Sequence, residues 1–162
     1  GYSALQMLQA YPLTHITTIE RDEKRYAIAK ENINQFDQNH HIELIFGDAL
    51  EQIEKLKDDQ KTYHLVFIDA AKGQYKRFFE LVHPLVAKTG IIVSDNVLFR
   101  GYVADKTNQY PTRFKSMIQK LRSYNEWICR HPQYNTTIVP IGDGVAISYK
   151  VSSYKCNWHE RT

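Results

Sequence analysis

The feature that most constrains this 162-residue chain is a repeated order. A short β-branched or apolar run is closed by an acid, then followed by apolar residues at helical spacing. The runs are HITTI at 15–19 closed by Glu20, IELIF at 42–46 closed by Gly47-Asp48, HLVFI at 64–68 closed by Asp69, and GIIVS at 90–94 closed by Asp95. Between them, 22–36 carries Tyr26, Ala29, Ile33 and Phe36 on one stripe, 49–56 carries Leu50, Ile53 and Leu56, and 74–86 reads as a further helix. Strands joined in this way predict an α/β fold whose parallel sheet has helices on both faces. The last third differs. Residues 111–130 predict a long helix with Phe114, Met117, Ile118, Leu121 and Ile128 along its stripe. Runs at 136–141 and 145–150, separated by Gly142-Asp143-Gly144, predict a C-terminal antiparallel hairpin. Residues 151–162 have no period and read as a tail.

The length suits one domain with a single core spanning 1–150. No apolar run approaches the roughly 20 residues that cross a bilayer, so no membrane partner is expected. A net charge of +3 is too mild to announce nucleic-acid binding. Cys129 and Cys156 form no close-spaced motif and read as thiols of a reducing compartment, which makes a cytoplasmic location the expectation. The adjacent His40 and His41 read as a polar loop. The chain opens at Gly1-Tyr2-Ser3 without a methionine, and a helix begins at once, as in a piece cut from a longer protein.

Glu20, Asp48, Asp69 and Asp95 all fall at strand C-terminal ends, which share one edge of an open α/β sheet and border its ligand crevice. Each taken alone also fits a helix cap or a turn. Glu20 fits an acid that accepts hydrogen bonds from ribose hydroxyls, and Asp48 either caps a helix or borders an adenine pocket. Asp95-Asn96 interrupts the apolar segment GIIVSDNVLFRG. Asp69, Asp95 and Asn96 offer three hard oxygen ligands, a set that suits Mg²⁺, Mn²⁺ or Ca²⁺ better than zinc.

GYSAL, TIERD, GDAL, FIDAAKGQY, VSDNVLFRG and PIGDGVAIS, in this order, resemble the cation-dependent O-methyltransferases of catechol and caffeoyl-CoA type. SDNVLFRG and YNEWICRHPQY look most like the bacterial branch that methylates 5-hydroxyuridine in tRNA. The resemblance implies a Rossmann-like class I methyltransferase sheet, S-adenosylmethionine as cofactor, and a homodimer. It implies that Asp69, Asp95 and Asn96 hold the divalent metal, with Asp69 also bordering the cofactor. Gly1, Tyr2 and Ser3 match the end of the loop around the amino-acid portion of S-adenosylmethionine, Glu20 the ribose-binding acid, and Gly47, Asp48 and Ala49 the adenine side. Lys72 matches the catalytic base. The family's glycine motif and the first central strand, which lies between the strands ending at Glu20 and Asp69, are missing, so a compromised cofactor site is expected.

A tRNA acceptor needs cations around the pocket mouth. Lys76, Arg77 and Arg100, near Lys72, are the candidates, with Arg113, Lys115, Lys120 and Arg122 on the long helix as a second group. Phe99, Tyr75 or Tyr102 could stack on a splayed base. Hydroxyuridine in tRNA is the acceptor expected first, and a small catechol-like or caffeoyl-type phenol is the runner-up. A nicotinamide-dependent oxidoreductase and a non-enzymatic RNA-binding module are the competing classes.

Overall fold

A computed structural model of the protein describes residues 1–107 and 109–151. The chain divides into two compact units, Gly1–Asp59 and the part from Gln60 onward. The reason lies in the strand ladders: β1 (Ile16–Glu20) pairs with β2 (Ile42–Phe46) in one sheet, and the later strands form another. Among the described residues no strand joins the two sheets.

In the first unit β1 and β2 run parallel, in register from Ile16↔Ile42 to Glu20↔Phe46. Around them lie α1 (Tyr2–Ala10), α2 (Glu23–Phe36) and α3 (Ala49–Asp58). Ala4, Ile33 and Ile42 form the buried centre, with Leu5, Leu8, Ile16 and Leu44 packed against it. Asp22 precedes α2 as its cap, accepting from the Arg25 amide at 2.9 Å. Asp37 closes the helix. Its buried carboxylate accepts from the amides of His41 (3.0 Å) and Ile42 (2.7 Å) and so sets the entry into β2.

The second unit contains β3 (Tyr63–Ile68), α4 (Tyr75–Val82), β4 (Val86–Ser94), α5 (Lys115–Cys129), β5 (Tyr134–Val139) and β6 (Val145–Lys150). The sheet order is β3-β4-β6-β5, with β3 and β4 parallel and β6 antiparallel to both β4 and β5. The expected hairpin is therefore present, and it joins the sheet through β6. Ile92 and Ser94 on β4 and their partners Ser148 and Ala146 on β6 are buried on the face where the Tyr124 hydroxyl of α5 meets Ser94 Oγ at 2.6 Å. Phe79 of α4 packs edge-on against Trp127 and Tyr134 on the same side. Leu65, Phe67, Ile147 and Tyr149, which alternate to the other face, are exposed.

Boundaries differ from expectation where local chemistry intervenes. The helix read over 74–86 stops at Val82, because Pro84 cannot continue the ladder and a single 3₁₀ turn, His83–Leu85, leads straight into β4. Gly90, read as the start of a strand, lies inside β4 at a register irregularity. A Cβ there would stand 2.7 Å from Val86 Cγ1 and 3.1 Å from Tyr63 O. β5 ends at Val139, before Pro140, rather than at Ile141. The long helix begins at Lys115 after a 3₁₀ turn, Thr112–Phe114. Of the tail read over 151–162, only Val151 is among the described residues, and Cys156 lies outside them.

Candidate functional site

In the second unit β3 and β4 finish level, with Ile68 opposite Ser94, so Asp69 and Asp95 leave neighbouring strand ends together. The Asp95 amide still bonds to Ile68 O at 3.1 Å, and the Tyr75 hydroxyl donates to Asp95 O at 2.8 Å. Asn96 then turns the chain with φ +54, a left-handed conformation that asparagine tolerates better than most residues. Asp95 Oδ1 accepts from both the amide (2.6 Å) and Nδ2 (3.2 Å) of Asn96. Lys72, in the 3₁₀ turn Lys72–Gln74, donates from Nζ to Asn96 Oδ1 at 3.0 Å. Asp95-Asn96 thus interrupts the apolar run as a strand-ending turn whose polar groups are held from three sides.

Two carboxylates and a carboxamide form a hard, oxygen-only donor set. Among the described residues no three of His, Cys, Asp or Glu gather as a metal site, so any cation here rests on Asn96 as well as the two acids. Burial first, then the charges of Asp69 and Asp95, push the Tyr75 phenol well above its ordinary pKa. Asn96 Oδ1 already accepts from Lys72, and a carbonyl oxygen has a second lone pair to offer. By type, these donors suit a hard dication.

Beyond Asn96 the backbone is strained again, with Phe99 at φ +39 and Arg100 at φ +54. The hairpin turn between β5 and β6 holds this segment. Val97 N bonds to Gly144 O (2.9 Å), and Leu98 N and Phe99 N both bond to Asp143 O (2.8 and 3.1 Å). The Phe99 ring consequently stands with its centroid 5.8 Å from Lys72 Nζ and packs edge-on against Phe114. Arg100 is exposed, its guanidinium 5.8 Å from the same ring. Lys76 reaches Trp127 (5.1 Å to the ring centroid) and Glu80 (3.8 Å), while Arg77 is exposed on α4. Sequence reasoning missed Asn125, buried on α5, whose Nδ2 donates to Val97 O at 3.0 Å and supports the turn from below. A buried amide on an otherwise apolar stripe was the available signal.

The other sequence-predicted residues lie in the first unit. Gly1 caps α1, and Tyr2 and Ser3 are exposed in its first turn. Gly1 also lies close to α2, where a Cβ would meet Ala29 Cα at 3.2 Å. Glu20 ends β1, and its Oε1 accepts from the Asp22 amide at 2.9 Å. Gly47 (φ +143) bonds its amide to Glu20 O at 3.0 Å. Asp48 caps α3, accepting from Leu50 N at 2.9 Å, and pairs loosely with Arg21 at 3.7 Å; Ala49 is the first residue of that helix. Glu20, Gly47, Asp48 and Ala49 are thus gathered at the C-terminal ends of two parallel strands, and both acids also serve the cap or turn role that each alone allows. His41 stacks on His15, with ring centroids 4.9 Å apart.

The profile of the family described as O-methyltransferase matches residues 1–151. An Arabidopsis thaliana protein named for caffeoyl-CoA O-methyltransferase activity is 31% identical over 148 residues, covering 91% of this chain and 64% of that protein. A catechol O-methyltransferase of Niastella koreensis is 28% identical over 155 residues, covering 91% and 68%. Among solved structures, one from Staphylococcus aureus, also named for caffeoyl-CoA O-methyltransferase activity, superposes with a TM-score of 0.83 at 41% identity, over 93% of this chain and 71% of that one. A Bacillus cereus O-methyltransferase in complex with S-adenosylhomocysteine has a TM-score of 0.71 at 27% identity, over 84% and 62%. This chain thus spans about two thirds or less of the length of the first of these relatives, 64%.

Proposed function

Because the chain belongs to the O-methyltransferase family, we propose that it serves to transfer a methyl group from S-adenosylmethionine to the hydroxyl oxygen of a catechol-like phenol, with a divalent cation held by Asp69, Asp95 and Asn96. The observation that carries the reading is Lys72 Nζ bonded at 3.0 Å to Asn96, beside two carboxylates at neighbouring strand ends. The names of the Arabidopsis and Niastella relatives support a small phenolic acceptor.

When bound, S-adenosylmethionine would supply an electrophilic sulfonium methyl group for the acceptor oxygen, with the carbon–sulfur electron pair left on sulfur. A hard dication such as Mg²⁺ or Mn²⁺ would supply the Lewis acidity that brings the hydroxyl towards its anionic form. Lys72 takes the phenolic proton as general base. The Phe99 ring beside Lys72 limits where the acceptor's ring can lie. In the first unit Glu20 is assigned to the ribose, Gly47, Asp48 and Ala49 to the adenine side, and Gly1, Tyr2 and Ser3 to the amino-acid portion. A homodimer and a cytoplasmic location accompany this reading.

A second reading, 5-hydroxyuridine in tRNA, is favoured by the exposed Arg100 and Arg77 of the second unit. Labelled methyl transfer to caffeoyl-CoA, 3,4-dihydroxybenzoate and hydroxyuridine-containing tRNA separates the two, run with Mg²⁺ and with chelator. Methylated phenol that disappears with chelator and in Asp95→Ala is expected. Transfer to tRNA alone selects the second reading, and chelator-indifferent transfer refutes the cation.

A further inference from the structure

Arg122 was read from sequence as one of several cations on the polar side of a helix. The structure gives it a different task. From α5 its Nε donates to Val103 O at 3.0 Å, and its Nη2 donates to Tyr102 O at 3.1 Å and to Asp105 O. The guanidinium also lies 5.8 Å from the centroid of the Tyr110 ring. One planar group thus meets three carbonyls and one ring, all on the connection between β4 and α5. Tyr102 and Val103 in turn bond their amides to Phe99 O (3.0 Å) and Leu98 O (3.2 Å). Tyr102 stacks with Phe114, at 6.4 Å between centroids, and Phe99 packs on both rings. The connection is therefore held at two places, by the Asp143–Gly144 turn at 97–99 and by Arg122 at 102–105. The first of these anchors carries the Phe99 ring that faces Lys72.

We propose that Arg122 is a positioning residue: it keeps the connection between β4 and α5 in the conformation that sets Phe99 beside Lys72, and so governs affinity for the aromatic acceptor rather than the methyl-transfer step. The inference rests on reading Lys72 and its neighbours as the acceptor site. A lysine cannot replace the guanidinium, because a point charge on a flexible stem does not span three carbonyls fixed in different directions. Without the fork those carbonyls turn to water, and the 99–105 backbone loses one of its two anchors.

The test compares Arg122→Met and Arg122→Lys with the unchanged chain. Hydrogen exchange of the 99–105 amides is expected to speed up at least about tenfold in Arg122→Met and less in Arg122→Lys, with exchange in β3, β4 and β6 unaltered. Kinetics with 3,4-dihydroxybenzoate, S-adenosylmethionine and Mg²⁺ are expected to show acceptor KM raised about tenfold with kcat and the cofactor KM within about twofold. Unchanged exchange at 99–105 overturns the proposal, and so does a fall in kcat at constant acceptor KM, which is the sign of a merely structural role. If Arg122→Met unfolds, Arg122→Lys decides by the same two readouts. Failure of the unchanged chain to methylate the phenol counts against the acceptor-site reading, whereas exchange at 99–105 still decides whether Arg122 holds the connection.

Discussion

Replacing Gly144 with alanine puts a methyl group where the chain has no room. A Cβ at this position lies 2.3 Å from Leu98 Cγ, 2.6 Å from Leu98 Cβ and 2.8 Å from Leu98 Cδ1. Carbon atoms rest at about 3.5–4.0 Å from one another, so Leu98 must retreat by roughly 1 Å or more. That retreat pulls on the amides of Val97, Leu98 and Phe99, which are bonded to Gly144 and Asp143. Overpacking of this kind costs about 1–3 kcal/mol. The backbone adds a separate cost, since φ is +84, and a left-handed conformation costs an L-residue about 1–2 kcal/mol. The expected loss is therefore about 2–5 kcal/mol. Gly142 provides the control. Its φ is +57 and a Cβ there meets nothing within 4 Å, so Gly142→Ala carries the backbone cost alone. Urea unfolding followed by tryptophan fluorescence measures both variants, with the m-values checked for agreement. Gly144→Ala should be the less stable by about 1–3 kcal/mol. Equal destabilisation would refute the claim that this turn grips the segment carrying Phe99.

Two further perturbations test the units separately. In the first, Asp37→Ala leaves the part-buried His41 amide and the buried Ile42 amide without their acceptor and should cost about 1–3 kcal/mol, seen as a lowered urea midpoint. Against the opposing effect of burial, those two amides hold the Asp37 carboxyl below its usual range, so its contribution is present above an unfolded pKa of about 3.9 and is lost as pH falls through the folded value. In the second unit, burial first, then Lys150 and His131, push the His83 imidazole down, while its Nδ1 stands 3.0 Å from the Tyr134 hydroxyl. The unfolded chain then binds a proton near pH 6.5 that the fold resists, so stability is present above that pH and falls below it, towards the folded value. A melting temperature that drops between pH 7.5 and 5.5, with the drop reduced in His83→Gln, is the expected result. An unchanged slope in the variant assigns the pH dependence elsewhere.

What the sequence determined by itself was the succession of strands and helices and the placing of acids at strand ends. Periodicity is a local property: Ile33 and Ala29 on one stripe, or Ile92 and Ser94 on alternate positions, declare their buried face without reference to distant residues. The motif resemblance rested on the same contiguous stretches, and Asp69, Lys72, Asp95 and Asn96 could be picked out because all four lie within two such stretches. Only the tertiary structure decided what holds them. The Asp143–Gly144 turn clasping residues 97–99, Asn125 on Val97, Tyr124 on Ser94 and Arg122 on 102–105 are hydrogen bonds between residues 17 to 47 positions apart, and no local pattern records them. The same holds for the division into two units and for the exposed face of Leu65, Phe67, Ile147 and Tyr149. A strand's alternation says which side chains share a face, but whether another element covers that face depends on what the rest of the chain brings to it.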